Sequence, residues 1–178
     1  MSATAPTRAL VAVLCRDNPG LIAAITGRLF DIGANLGDTT FAVLGGAAEF
    51  TSVCELPPGT TLAGVEQELA GLEELKEARI SVTPFGYEAT HDERAHITHR
   101  IEITGKDNPG LIARMSEVFV QFGANIVRLN SEWLPGTGEA HYVLRMAVFI
   151  PDDKASSCLA TVANTAAQLA LTCWWEES

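Results

Sequence analysis

Apolar side chains follow two different spacings along the first half of the chain. The apolar run Ala9–Cys15 is too short for a helix and ends at a turn signal, so it predicts a strand. The turn is Asp17–Gly20. Because a proline disfavours helical geometry in the residue before it, Asn18 is predicted to be the N-cap and Pro19 the first helical residue. Helical spacing of the following apolar residues predicts a helix with one buried face, formed by Leu21, Ile25, Leu29 and Ile32.

The rest of this half predicts two strands, a second helix and a last strand. Gly33 is suited to end the first helix. Asn35–Leu44 and Glu49–Leu56 are predicted strands, joined by a glycine pair that favours a hairpin. Thr61–Leu75 carries apolar residues at helical spacing, and Ala78–Thr83 alternates like a half-buried strand.

A repeat divides the chain into two units. Arg16–Ala23 returns almost unchanged as Lys106–Ala113, and Gly33–Asn35 returns as Gly123–Asn125, in both cases 90 positions later. A constant offset across two separate strings indicates a duplicated unit.

The duplication predicts a first domain over residues 1–84, a linker over residues 85–95 and a second domain over residues 96–178. The elements predicted in the second domain are the strands His96–Gly105, Asn125–Trp133, Glu139–Ile150 and Ala170–Trp175 and the helices Pro109–Phe122 and Asp152–Leu169.

The element order predicts the fold class. A βαββαβ unit with right-handed crossovers gives the ferredoxin-like α+β plan, a four-stranded antiparallel sheet with both helices on one face. The open face of the second sheet is predicted to be polar, because Arg100, Glu102 and Thr104 alternate with isoleucines. Leu10, Ala12 and Leu14 occupy the matching positions of the first sheet, which predicts an apolar face covered by another domain or chain. We therefore expect the protein to form a homo-oligomer or to close on itself.

Composition and charge narrow the function classes. The 178 residues carry a formal net charge of −10, which argues against direct binding to nucleic acid or to anionic membranes. The amino end lacks the regions of a signal peptide, and no apolar run approaches the length of a membrane span. Four scattered cysteines form no metal-binding spacing and predict buried, reduced thiols in a cytoplasmic protein.

Other candidate chemistry in the sequence is weak. His91, His96, His99 and His141 do not converge on one site in the predicted topology, so they are interpreted as surface or interface residues. No nucleophile–His–Asp set and no phosphate-binding glycine loop is visible, so no catalytic residue, metal or cofactor is predicted. One of the two adjacent tryptophans, Trp174 and Trp175, is predicted to face the core and the other an interface.

The repeated loop has the chemistry of a receptor for a free amino acid. Unpaired N–H groups at a helix start favour a carboxylate, and Gly20 and Gly110 let a ligand approach the backbone. Asp17 and Asp107 offer carboxylates to an ammonium group. The amides of Asn35 and Asn125 are predicted to lie at the same end of the sheet as the loop. A purely structural interpretation, in which both strings only start and end helices, stays open.

These strings resemble the ACT domain, a ligand-binding regulatory module. The resemblance rests on a strand followed by Asp17–Leu21, an amphipathic helix and Gly33–Leu36, and it covers about residues 8–84 and 96–176. In this family small ligands, mostly amino acids, bind between neighbouring units through the loop after the first strand and the start of the second. The resemblance implies that the ligand-binding residues are Asp17, Asn18, Gly20, Leu21, Asn35, Asp107, Asn108, Gly110, Leu111 and Asn125.

The resemblance also implies a function. The chain resembles stand-alone tandem ACT proteins, some of which are similar to non-enzymatic adaptors. Such adaptors bind a transcriptional activator and silence it according to amino-acid supply, and glycine is one candidate ligand. The acidic chain agrees with a protein partner. One alternative is a detached regulatory subunit of an enzyme of amino-acid metabolism. Another is an assembly module whose loops bind nothing.

Overall fold

The computed structural model describes residues 7–88, 90–134 and 141–178. The chain forms two compact units, residues 1–87 and residues 88–178. Residue 89, within the predicted linker, and residues 139–140, within a predicted strand, lie outside the described residues. The linker stretch also contains a short 3-10 turn, Glu93–Ala95, which contacts strands of the second unit.

The first unit contains the six predicted elements with small changes in their ends. The predicted second helix is shorter than expected, because it ends before Gly71 and a separate 3-10 turn covers Glu73–Leu75. The elements in chain order are β1 (Thr7–Arg16), α1 (Leu21–Asp31), β2 (Asn35–Leu44), β3 (Ala47–Leu56), α2 (Leu62–Ala70) and β4 (Arg79–Pro84).

The second unit repeats this order. Its first strand begins at His99, three residues later than predicted, and its second helix follows a 3-10 turn at Asp152–Lys154. The elements are β5 (His99–Gly105), α3 (Leu111–Gln121), β6 (Asn125–Leu134), β7 (His141–Phe149), α4 (Ala155–Gln168) and β8 (Thr172–Glu177).

Each unit has one antiparallel sheet, and the two sheets have the same topology. The strand orders are β2-β3-β1-β4 and β6-β7-β5-β8, and every pairing between neighbours is antiparallel. The predicted ferredoxin-like α+β fold is therefore confirmed in both units. The order places β2 and β6 at sheet edges, while β1 and β5 lie inside.

Alternation along the inner strands sets up the two cores. Ala9, Val11, Val13 and Cys15 are buried, and the buried face of α1 packs against them. Ile101 and Ile103 are buried in the second unit, whereas Arg100 and Glu102 lie on the opposite face. The predicted polar open face of the second sheet is confirmed.

On the open face of the first sheet the middle of β1 is apolar, and Val53 on β3 and Leu44 on β2 add to this apolar surface. Leu10 and Ala12 are half-buried and Leu14 is 40% exposed. Their neighbours in register on β3 and β4 are mostly polar, for example Thr51 and Ser81 beside Ala12. The prediction that another domain or chain covers this face stays a prediction.

The helix starts differ from the prediction at Asn18 and Pro19. Helix α1 begins at Leu21, and its N-cap is Gly20 in a left-handed conformation, with φ of 87° and no side-chain cap. Gly110 has the same role before α3, with φ of 82°. The prediction of Asn18 as the N-cap is therefore wrong. Gly20 takes this position because glycine tolerates the left-handed turn that brings the chain into the helix.

Gly33 does end the first helix, as predicted. The N–H of Gly33 donates to Phe30 O at 2.8 Å, and the N–H of Ala34 donates to Leu29 O at 2.9 Å. This is the Schellman pattern, in which a left-handed glycine satisfies the last helical carbonyls. Gly123 and Ala124 repeat it after α3.

Two expectations about single side chains were wrong. His99 is buried rather than at the surface, and its Nδ1 lies 2.9 Å from Thr98 Oγ1. Neither Trp174 nor Trp175 belongs to the core of this chain, since they are 56% and 38% exposed. Of the four cysteines predicted to be buried, Cys15, Cys54 and Cys158 are buried and Cys173 is half-buried.

Candidate functional site

The loop between β1 and α1 is held in place by backbone hydrogen bonds. The N–H of Asp17 donates to Gly46 O at 3.1 Å, which ties the loop to the hairpin between β2 and β3. The N–H of Leu21 donates to Asn18 O at 3.4 Å and closes the turn. Asn18 Nδ2 donates to Arg16 O at 3.4 Å. The loop is therefore positioned by strands while its outer surface stays exposed.

The start of α1 presents donors that the protein leaves unpaired. The first helical hydrogen bond runs from the N–H of Ala24 to Gly20 O at 2.9 Å. The N–H groups of Ile22 and Ala23 precede it and have no backbone acceptor in this fully described segment. Together with the helix dipole, such groups favour an anion. They border an open depression of about 490 Å³ that also includes Asp17, Gly20 and Phe41.

The second unit reproduces this start with one difference. The N–H of Leu111 donates to Asn108 O at 3.0 Å, and the N–H of Arg114 donates to Gly110 O at 3.0 Å. Asn108 Nδ2 donates to Leu169 O at 3.3 Å, at the end of α4, instead of to its own loop. The Asn108 side chain is thus anchored to the helix layer, whereas the Asn18 side chain is exposed.

The two aspartates are available to a cation. Asp17 and Asp107 are exposed, and neither forms an ion pair or a side-chain hydrogen bond with a described residue. Burial, with a smaller contribution from the Asp17 carboxylate, raises the pKa of the Cys15 thiol. Asp17 therefore stands beside a neutral group, and its negative charge faces solvent.

Asn35 and Asn125 are not at the loop end of their sheets, which corrects the predicted site. In the register of the first sheet Arg16 pairs with Ala47, which pairs with Leu44, whereas Asn35 pairs with Glu55 at the opposite end. The reason is topological. Strands β1 and β2 both run antiparallel to β3, so they run parallel to each other and start at the same end.

The same topology separates Asn125 from Asp107. Asn125 pairs with Phe149, beside the start of β5, and its Nδ2 donates to Arg94 O at 2.9 Å. A strand of this length extends about 3.3 Å per residue, so more than about 20 Å separates the two ends of each sheet. The loop residues Asp17–Leu21 and Asp107–Leu111 stay together within each unit, and the asparagines of the second strands do not join them.

Exposed apolar side chains recur at matching positions in the two units, a feature that the sequence interpretation missed. Phe30 and Val120 lie 90 positions apart and are 77% and 76% exposed. Ile22 and Ile112 form a second such pair next to the loops, and Leu44 and Leu134 a third on the edge strands. A comparison of the aligned repeats could have found them, because polar residues normally occupy such positions on a solvated helix.

The described residues contain no group of three or more His, Cys, Asp or Glu side chains placed to hold a metal ion. Among them, no helix is both long enough and apolar enough to cross a membrane.

Known proteins resemble this chain in sequence over the first unit and in structure over both. Residues 7–83 match the family model of the ACT domain, so the first unit is an ACT domain. The second unit has the same fold and repeats both loop strings. No curated protein sequence matches the chain.

Two solved structures resemble almost the whole chain. An unknown protein from Galdieria sulphuraria is 21% identical, with a TM-score of 0.73, over 97% of this chain and 98% of that protein. A candidate glycine cleavage system transcriptional repressor is 13% identical, with a TM-score of 0.67, over 98% of this chain and 99% of its own. At these identities the likeness establishes the tandem fold.

Proposed function

We propose that this tandem ACT-domain protein is a non-enzymatic, cytoplasmic regulator that binds an amino acid and acts on transcription through a protein partner. The observation that carries the proposal is the pair of open helix starts at Gly20 and Gly110. Both have unpaired N–H groups, a left-handed glycine and an exposed aspartate within a few residues. The structural likeness to a candidate glycine cleavage system repressor supports a role in transcription and makes glycine the first ligand to test.

The chemistry of the loop suits a zwitterion. The ligand carboxylate accepts hydrogen bonds from the N–H groups of Ile22 and Ala23, and its ammonium group pairs with Asp17. Because the residue Gly20 has no Cβ, the ligand can approach the backbone at that position. The second unit offers the same groups at Gly110 and Asp107.

A complete site on this plan needs more than one unit. Asn35 lies at the far end of its own sheet from Asp17, so an asparagine at the ligand must come from a neighbouring unit. We infer that the protein is a homo-oligomer in which such neighbours meet. The exposed pairs Ile22 and Ile112, and Phe30 and Val120, provide apolar surface for that association.

Ligand binding at such a seam would work as a switch. A ligand that contacts two units stabilises the arrangement in which both are in place. It shifts the population of arrangements by no more than its difference in affinity for them. A response of five- to 150-fold needs a coupling free energy of about 1–3 kcal/mol.

Calorimetry of the full-length protein against each of the twenty amino acids tests the proposal. We expect saturable heat with at least one of them, and weaker binding in the variant Asp17→Asn with Asp107→Asn. Asp31→Asn is a matched control, because Asp31 is also exposed but lies at the other end of α1. No heat with any amino acid at millimolar concentration would reject amino-acid sensing.

The partner needs a separate experiment. The tagged protein, with and without the amino acid that binds, is used to capture partners from cells. A transcription factor whose recovery changes with the ligand supports the proposal. Recovery of a biosynthetic enzyme instead would identify the protein as a detached regulatory subunit.

A further inference from the structure

The open face of the second sheet carries a polar depression far from the loops. Its volume is about 430 Å³, and its lining includes Arg100, Glu102, Arg128, Arg145, Ala147 and Trp174. Three of the twelve cationic side chains of an acidic chain thus gather on one surface. Arg100 and Asp107 are seven positions apart in the chain, and most of the residues between them belong to the strand β5.

Arg100 and Arg128 flank a small residue in the middle of this surface. Arg100 pairs with Ala147 on one side and with Glu176 on the other, and Ala147 in turn pairs with Arg128. Neighbouring strands are about 4.8 Å apart, so the two arginine backbones lie about 10 Å apart across an alanine floor. Neither arginine forms an ion pair or a side-chain hydrogen bond with any described residue.

Arg145 lies on the same face but is bound by two carboxylates of the protein. Its Nε donates to Glu102 Oε2 at 2.8 Å, and its Nη1 donates to Glu132. The hydrogen bond to Glu132 and, to a smaller extent, the one to Glu102 raise the pKa of the Arg145 guanidinium. Two carboxylates therefore neutralise Arg145. The Glu176 carboxylate lines the same depression and is the register neighbour of Arg100, but it forms no ion pair with Arg100, so both Arg100 and Arg128 can still bind an outside anion.

A bulge in the edge strand places Arg128 on this face. Ile126 pairs with Val148, but Arg128 pairs with the next residue, Ala147, so Val127 is the extra residue. Without the extra residue Val127 would oppose Ala147 and Arg128 would turn to the helix side. The irregularity brings a second guanidinium to the alanine floor.

The fold does not require this set of residues, because the first unit is built without it. The position of Arg100 corresponds to Leu10, which pairs with Val53 on one side and Thr83 on the other. The first sheet carries no arginine at that position, yet it has the same order and register pattern.

Trp174 supplies an apolar wall beside the arginines. It lies on the edge strand β8, directly opposite Glu102, and is 56% exposed. An indole face stacks well on planar rings. Trp174 is a diagonal neighbour of Arg100 across β8 and β5, whereas Arg128 lies on the opposite edge strand. A ligand with a ring at one end and a charge at the other could therefore span the face between Trp174 and the two arginines.

We propose that this depression binds a small molecule with a planar ring and one compact anionic group, either a carboxylate or a phosphate. The anion is held between Arg100 and Arg128, and the ring stacks on Trp174. Arginine forks bind either group through paired, charge-assisted hydrogen bonds. The site is separate from the loops and does not depend on the amino-acid proposal.

Calorimetry of the full-length protein with benzoate and phenyl phosphate tests this inference. We expect saturable binding of at least one of them at low salt, and a loss of affinity as salt is added. The probe that binds more tightly identifies the anionic group. Methyl phosphate, acetate and phenol each lack either the ring or the charge, and we expect them to bind more weakly than the matching ring anion.

Three variants locate the site. Arg100→Ala and Arg128→Ala should each reduce affinity by roughly tenfold or more, because each removes a charge-assisted contact. Trp174→Leu should weaken the ring anions and leave methyl phosphate and acetate unchanged. Arg114→Ala is the matched control, since Arg114 is an exposed arginine of the same unit on α3.

Several results would overturn the inference. These are no saturable binding of either ring anion at millimolar concentration, equal affinity of the Arg100→Ala and Arg114→Ala variants, and equal affinity for the ring anions and their ring-free analogues. The variant Asp17→Asn with Asp107→Asn should keep the ring-anion site, so failure of the amino-acid proposal and failure of this inference are distinguishable.

Discussion

Asp17 and Asn35 lie at opposite ends of the first sheet, although only the helix α1 and two short turns separate them in the chain. A helix crossover returns the chain to the end from which β1 started, so the next parallel strand must begin there. Within one unit the two residues cannot hold the same small ligand. A site that used both of them would need residues from more than one unit.

The glycine at the helix start can be tested with a matched pair of variants. Gly20 and Gly59 have φ of 87° and 88°, and an added Cβ would meet nothing within 4 Å at either position. Substitution by alanine at either position should therefore lower the free energy of unfolding by about 1–2 kcal/mol, through backbone strain alone. Gly20→Ala alone should also abolish binding at the first loop, because its Cβ occupies the approach to Ile22 and Ala23. Urea unfolding measures the shared cost, and calorimetry measures the number of sites. Equal binding by both variants would contradict the prediction.

Core substitutions should act on one unit at a time. Phe50 and Phe119 are each 1% exposed, and they belong to separate core clusters. Truncation of either to alanine should cost about 3–5 kcal/mol through lost burial and a cavity. We expect Phe50→Ala to reduce the protection of backbone amides from hydrogen exchange in β1–β4, and Phe119→Ala to reduce it in β5–β8. Hydrogen exchange followed by peptide mass spectrometry resolves the two. Equal loss in both units after either substitution would show that they unfold together.

The buried thiol of Cys158 should make stability depend on alkaline pH. Burial raises the pKa of Cys158 from 9.0 to about 11. A thiol with a raised pKa in the folded state contributes stability below the unfolded pKa, and this contribution is lost as pH rises through the folded pKa. The free energy of unfolding should therefore fall between about pH 9 and 11, and Cys158→Ala should reduce that fall.

Alkylation rates provide a second measurement of the same prediction. Because the thiolate is the reactive form, Cys158 should react with iodoacetamide far more slowly in the folded protein than after unfolding at pH 8. Cys173 also has its pKa raised by burial to about 11 and should be slow. Rapid labelling of Cys158 in the native protein would contradict the buried position.

Gly105 should resist substitution for a steric reason. A Cβ at this position would lie 2.5 Å from Leu171 Cδ2, and φ is 152°. Gly105→Ala should destabilise the second unit by about 1–3 kcal/mol. Combining it with Leu171→Ala should cost less than the sum of the two single changes, because the clash is removed. Gly46→Ala is the control, since a Cβ there meets nothing within 4 Å. A neutral Gly105→Ala would show that Leu171 moves easily.

The sequence alone was sufficient for the fold because its information is local and periodic. The alternation in Ala9–Cys15 and the helical spacing from Leu21 to Ile32 each bury one face, and the offset of 90 shows that the plan occurs twice. Glycine punctuation located the hairpin and the end of α1. It did not identify the helix start, because the left-handed turn at Gly20 depends on a backbone angle that no side-chain pattern reports.

The tertiary structure decided which residues meet. The sequence placed Asp17 and Asn35 together, but their positions depend on the direction of β2 relative to β1, which hydrogen bonding to β3 sets. From the sequence, Arg100 was predicted to be one polar residue on the solvent-exposed face of its sheet. Only cross-strand register, with the bulge after Ile126, brings Arg128 to the other side of Ala147. Periodicity specifies the face of each element, whereas sites form from contacts between strands that are distant in sequence.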